Sequence, residues 1–157
     1  MGCDFIIDKS QENLWKKVEE YAPAGVDVAF DANGVETMQG SYDHLATSGK
    51  LVVYGAHSMF PKKGGKVNWP KLAIDFLKTP RFNPLNITSQ NKSLITFNLS
   101  FLFEKRDLLE EAMNDLIKWY KEGKLRAPIT KSYPLEQVGE AHKELESGKT
   151  VGKLVLL

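Results

Sequence analysis

The sequence predicts an α/β domain built on a parallel sheet. Three observations predict it: short, nearly continuous apolar runs, amphipathic helical segments between them, and Gly, Pro or Asn at the joints. Strand, helix, strand, helix, strand at this spacing is the rhythm of two successive βαβ crossovers, each right-handed. Strands that are apolar throughout rather than alternating imply a sheet covered on both faces.

Each element has its own signal. Asp4-Phe5-Ile6-Ile7 reads as a buried strand ended by Asp8, with Lys9, Ser10 and Gln11 supplying breaker and cap chemistry. Over residues 11–22, Leu14, Trp15, Val18 and Tyr21 share one helical face opposite Glu12, Lys16, Glu19 and Glu20, and Pro23 and Gly25 stop the helix. Residues 26–31 form a second strand. Asn33-Gly34 then turns the chain into a helix over 35–46, which Gly49 ends, and residues 50–55 are a third strand. The Pro, Lys and Gly of residues 56–68 make a surface loop. Asn68-Trp69-Pro70 enters a helix with a stripe of Leu72, Ala73, Phe76 and Leu77 that ends before Pro80.

A fourth strand runs from about 93 to 98. The apolar run Leu99-Ser100-Phe101-Leu102-Phe103 either prolongs it or turns into a covered segment; periodicity does not choose. In the helix from Arg106 to Tyr120, Leu108, Leu109, Ala112, Leu116, Ile117 and Tyr120 repeat near 3.6, and Gly123 closes it. Residues 129–133 are a short strand, Pro134-Leu135-Glu136 opens a last helix through Leu145, and residues 152–157 form a terminal strand.

Composition removes several function classes. The 157 residues carry 21 basic and 20 acidic side chains, a formal net charge of +1, with no basic stripe for a phosphate backbone. Nucleic-acid binding and charge-driven membrane association are therefore not expected. No run approaches the roughly 18 apolar residues that span a bilayer, and no secretory signal pattern opens the chain, so a soluble, cytoplasmic protein is expected. Cys3 is the single cysteine and His44, His57 and His142 are the only histidines; their spacing matches no structural zinc site, so no metal is expected.

Most motif matches dissolve on inspection. The Asn-x-Ser/Thr triplets at Asn86, Asn91 and Asn98 are short enough to occur by chance. Gly148-Lys149-Thr150 imitates the end of a phosphate-binding loop, but Lys143 stands where the first Gly belongs and the triplet follows a helix. Lys62-Lys63-Gly64-Gly65-Lys66 reads first as a solvated loop and second as a steering patch for an anion. His142 reads as an ordinary helix side chain. No hydrolase triad or nucleophile elbow is present.

What remains is Asp31-Ala32-Asn33-Gly34 after the second strand and Tyr54-Gly55-Ala56 after the third. Ligands of open parallel sheets lie outside the carboxyl ends of the strands, where loops expose N–H groups and small residues admit close approach. These loops are the candidate site. The G-x-G-x-x-G of a dinucleotide fold occurs nowhere in the chain.

The ordered set of segments resembles one family along nearly the whole chain. Met1-Gly2-Cys3-Asp4-Phe5-Ile6-Ile7-Asp8 is similar to the LGAD-x-VI-x segment of medium-chain dehydrogenases/reductases, residues 25–31 to their GVDVVxD strand, and residues 49–55 to their GKxVxYG. Gly123-Lys124-Leu125-Arg126-Ala127-Pro128, Tyr133-Pro134-Leu135-Glu136, Glu140-Ala141-His142 and residues 148–156 resemble the C-terminal signature in the same order. Within the family the chain is most similar to the zinc-independent quinone oxidoreductase branch. Among these, the synaptic vesicle amine-transport-protein homologues share a similar insertion around Asn83-Pro84 and a similar strand before Phe101.

The resemblance implies the later half of a Rossmann-like doubly wound parallel sheet in residues 1–98, and C-terminal return elements of the catalytic domain in residues 99–157. It implies NADPH as cofactor, a small quinone or enone as substrate, hydride transfer as the chemistry, and a homodimer in which the strand at 93–98 takes part. By position, it implies cofactor contacts at Asn33, Gly34, Tyr54, Gly55, Ala56, Phe97, Asn98, Leu99, Thr150 and Lys153. No catalytic acid is assigned. The alternative is a non-catalytic dimerisation or interaction module of the same fold, using an apolar edge and face left without a neighbour.

Overall fold

The computed structural model describes residues 2–59 and 68–157, and they fall into two compact units divided between Asn98 and Leu99. The Lys62–Lys66 patch lies outside the described residues.

In the first unit, three parallel strands stand side by side in the order β1 (Val26–Asp31), β2 (Leu45–Val53), β3 (Ser93–Thr96). Ala29 pairs with Leu51, and Leu51 with Leu94, so the central strand's apolar side chains are held from both sides. Two crossovers in one direction make this the parallel α/β architecture the sequence predicts.

Helix α1 (Leu14–Tyr21) precedes β1 and is capped by Asn13, whose side chain accepts the Lys16 N–H at 3.1 Å. Helix α2 (Met38–Asp43) joins β1 to β2. Helices α3 (Trp69–Lys78) and α4 (Pro84–Ser89) lie between β2 and β3; each begins Asn-x or Asn-Pro, with Asn68 and Asn83 capping through their side chains. The core gathers Tyr42, Leu45, Leu51 and Val53, with Val26, Ala29, Met38, Phe82, Ile87 and Leu94 packed against it.

Several expectations are corrected. Residues 4–7 form no strand, and Phe5 and Ile6 are exposed. An extended segment gains a ladder only beside another, and none of the described strands runs next to it. The helix expected to reach residue 46 stops at Asp43, because the Val26 N–H takes the His44 carbonyl at 2.9 Å and draws the chain into β2 at Leu45. An irregularity follows: Val26 faces Leu45 but Val28 already faces Lys50, and Ser48 adopts a left-handed φ of 67° to absorb the extra residues. The third strand ends at Val53 rather than Gly55 and the fourth at Thr96 rather than Asn98. Helix α4 was not legible as a helix. Coverage of both sheet faces also fails at β1, where Val28 is exposed and Phe30 is 72% exposed.

The second unit holds α5 (Arg106–Lys121), β4 (Thr130–Tyr133), α6 (Val138–Glu146) and β5 (Lys153–Leu156), with β4 and β5 parallel and Thr130 opposite Lys153. The undecided run after residue 98 becomes a 3-10 turn, Leu99–Phe101, with Phe101 exposed. Leu135–Gln137 is likewise a 3-10 turn leading into α6.

Candidate functional site

The loops leaving β1 and β2 are tied to each other at the carboxyl ends of the strands. Asp31 organises the first. Its Oδ1 accepts the N–H groups of Asn33 (2.9 Å) and Gly34 (2.8 Å), and its Oδ2 accepts the hydroxyls of Thr37 (2.7 Å) and Ser41 (3.0 Å). A buried carboxylate with all four of these donors is satisfied, so it serves as a bracket for the turn and the start of α2.

The second loop docks onto the first through its backbone. Tyr54 N–H donates to the Asp31 carbonyl at 3.0 Å, His57 N–H to Ala32 at 3.1 Å, and Ser58 N–H to Asn33 at 3.0 Å. The approach is close enough to require glycine. A Cβ on Gly55 would stand 2.6 Å from the Ala32 carbonyl oxygen, and Gly34, at φ +83°, would bring one to 3.1 Å from Ala56 Cα. Just past β3, Phe97 N–H donates to the Val53 carbonyl at 3.1 Å, which sets the Phe97 ring near-parallel to Tyr54, centroids 6.2 Å apart. Both rings are about half exposed.

Of the residues singled out from sequence, the first unit therefore brings together Asn33, Gly34, Tyr54, Gly55, Ala56 and Phe97, with Asn98 next along the chain and exposed. Leu99, Thr150 and Lys153 belong to the second unit. There Leu99 opens the 3-10 turn, the Thr150 hydroxyl donates to the Glu144 carbonyl at 3.0 Å, and Lys153 starts β5 with its N–H on the Ile129 carbonyl.

Sequence reasoning missed Ser58 and Lys71. Ser58 is 6% exposed, and its hydroxyl has no hydrogen-bond partner among the described residues. Its carbonyl accepts from Lys71 Nζ at 3.1 Å, and Lys71 also pairs with Asp75 one turn along α3. Burial is a tertiary property, so nothing local marked this serine. Among the described residues no group of three or more His, Cys, Asp or Glu side chains is gathered to hold a metal ion.

Loops joined at the carboxyl ends of parallel strands, with glycines where backbones nearly touch, make an α/β scaffold of the kind whose ligands lie outside the strand tips. The family model for zinc-binding dehydrogenases matches residues 1–156. The chain belongs to this family, within the medium-chain dehydrogenases/reductases, and corresponds to the C-terminal half of their fold. It is 29% identical over 155 residues to the zebrafish (Danio rerio) synaptic vesicle membrane protein VAT-1 homolog, spanning 99% of this chain and 32% of that protein. It is 27% identical over 158 residues to a probable quinone oxidoreductase of Leishmania amazonensis, spanning 99% and 44%. Among solved structures, the quinone oxidoreductase of Pseudomonas syringae superposes with a TM-score of 0.66 at 25% identity, covering 96% of this chain and 42% of that one. The chain thus spans less than half the length of the relatives it matches.

Proposed function

We propose that this chain forms the nicotinamide-facing part of an NADPH-dependent, zinc-independent oxidoreductase that transfers hydride to a quinone or enone. The family, with quinone oxidoreductases among the similar proteins, supports an oxidoreductase and a nicotinamide cofactor. The observation that carries the reading is the pair of backbone-tied loops at Asn33-Gly34 and Tyr54-Gly55-Ala56, where Gly34 takes a left-handed φ and a Cβ on Gly55 would collide with the Ala32 carbonyl.

The residues present fit such a group. An orphaned hydroxyl at Ser58 lies in the loop after β2, and the half-exposed rings of Tyr54 and Phe97 offer flat apolar surface to a planar group. When bound, the cofactor supplies the hydride. Asn33, Gly34, Tyr54, Gly55, Ala56, Phe97 and Asn98 of the first unit shape and orient its cleft, largely through backbone; Leu99, Thr150 and Lys153 are assigned to cofactor contact by the resemblance alone. The division is residues 1–98 for the dinucleotide-binding domain and 99–157 for the return elements. We place the protein in the cytoplasm as a homodimer. No helix among the described residues is long and apolar enough to cross a membrane.

Purified chain titrated with NADPH should change the cofactor's fluorescence and oxidise it when a quinone is added; flat signals at millimolar NADPH remove the enzyme reading for this chain.

The second reading, a non-catalytic interaction module, draws on one feature: a cavity of about 330 Å3 along β1, lined by Leu14, Trp15, Val18, Val28 and Phe30 among others. A monodisperse monomer in sedimentation counts against it.

A further inference from the structure

The turn after β1 carries a reactive pair: Asn33 is the one asparagine in the chain followed directly by glycine. In an unfolded segment such a pair closes on itself, because the glycine nitrogen has no side chain beside it to hinder its attack on the asparagine Cγ. The fold holds both partners. Gly34 is buried, and its N–H donates to Asp31 Oδ1 at 2.8 Å. Its carbonyl takes the N–H groups of Thr37 (3.0 Å) and Met38 (2.8 Å), and the Asn33 carbonyl takes Ser58 N–H at 3.0 Å. The attacking species is the nitrogen without its proton, and the Asp31 carboxylate opposes it, since the anion would face a like charge. Bonds on both sides of the peptide also resist the backbone rotation that brings nitrogen to Cγ.

We propose that Asn33 is a deamidation site that Asp31 holds closed, so that the turn is modified only when this bracket opens. The Gly34 nitrogen gives its proton to water and bonds to Asn33 Cγ. The Cγ–Nδ2 bond breaks, and the amide leaves as ammonia after taking a proton back from water. A water molecule then opens the cyclic imide at either carbonyl and leaves aspartate or isoaspartate at position 33. One water enters, one ammonia departs, and nothing is oxidised or reduced. Both products oppose reclosure, because each adds a carboxylate close to Asp31. Isoaspartate also reroutes the backbone through Cβ and Cγ, so the carbonyl that accepted Ser58 N–H becomes a free carboxylate. An opening of the strand tips is thus recorded in the covalent structure.

The test is incubation of the full chain at mildly alkaline pH, followed by peptide mapping that separates aspartate from isoaspartate. Folded wild type should lose the Asn33 amide about thirtyfold more slowly than the same chain in urea. Asp31→Asn, which takes the charge from the bracket, should speed the loss about tenfold in the folded protein. Leu51→Ala weakens the core of the same unit and not the turn, and should speed it far less. If Asp31→Asn does not fold, the wild type decides: with rising urea the loss should follow amide exchange at Gly34 and not at Leu51. Equal rates in the folded and urea-treated wild type overturn the proposal. So does a Leu51→Ala rate that matches Asp31→Asn, or a loss that follows exchange at Leu51, since protection would then come from the fold as a whole. Aged protein should melt below fresh protein, and equal melting overturns the claim that the products oppose reclosure.

Discussion

The two units hold themselves together by different means. In the first, Leu51 is completely buried at the middle of a three-strand ladder, and its neighbours form a continuous core. In the second, Tyr133 and Ala141 are the buried hydrophobics among the described residues, while Leu108, Met113, Leu116, Ile117 and Tyr120 of α5 remain exposed. The first unit is therefore stabilised by packing, with its asparagine-capped helices adding to it, and the second by local hydrogen bonding such as that around Glu144. Packing energy concentrates in few residues; local polar contacts spread thinly.

Substitution at matched residues sharpens this contrast most. Leu51→Ala should cost about 3 kcal/mol in urea unfolding, and Leu116→Ala well under about 1 kcal/mol, since only the first leaves a cavity. Equal effects would mean that α5 packs in solution against something that covers it.

The bracket at the strand tips comes next. Asp31→Ala removes the acceptor of four hydrogen bonds and strands buried N–H groups, for about 2–3 kcal/mol of stability. Asp31→Asn keeps part of the pattern and should lose about half as much. Gly55→Ala forces a Cβ toward the Ala32 carbonyl and should cost about 1–2 kcal/mol while prising the two loops apart, read as faster amide exchange at Tyr54 and Ser58. Unchanged exchange at those amides would show that the loops tolerate a side chain there.

How much of this was legible follows the same division. The strand runs at residues 26–31 and 50–53 and the glycine loops after them were readable because apolar runs and turn residues are local signals. Residues 4–7 carry the same local signal and form no strand, since pairing needs a neighbour that periodicity does not report. Helix α4 hid in six residues between Asn83 and Gln90, too short for a repeat, although Asn-Pro is a sound helix start. Asp31 was seen as part of a loop, but its grip on Thr37 and Ser41 depends on α2 being in place. Ser58 gave no signal at all, because only the folded loop buries it.

The smallest effect belongs to the second unit and depends on pH. Lys131 Nζ donates to Glu144 Oε2 at 2.5 Å, the Tyr133 hydroxyl donates to the same oxygen, and Lys131 lies over the Tyr133 ring. The carboxylate thus joins β4 to α6. Lys131 first, then Tyr133, hold Glu144 below its ordinary value, and Glu144 followed by Tyr133 holds Lys131 above its own. A lowered carboxylate contributes fully above its unfolded value, about 4.3, and loses that contribution as pH falls through the lowered folded value. The raised lysine contributes fully below its unfolded value, about 10.4, and loses only at higher pH. The clamp should be constant across neutral pH and fail in acid. Because Lys131 is exposed and Glu144 is partly so, solvent screens the pair and the effect is small. Melting curves of wild type and Glu144→Gln should separate slightly at pH 7 and converge near pH 3. Curves that stay equally separated at both would show that Glu144 acts through packing of its stem, and would bring the second unit closer to the first in the way it is held.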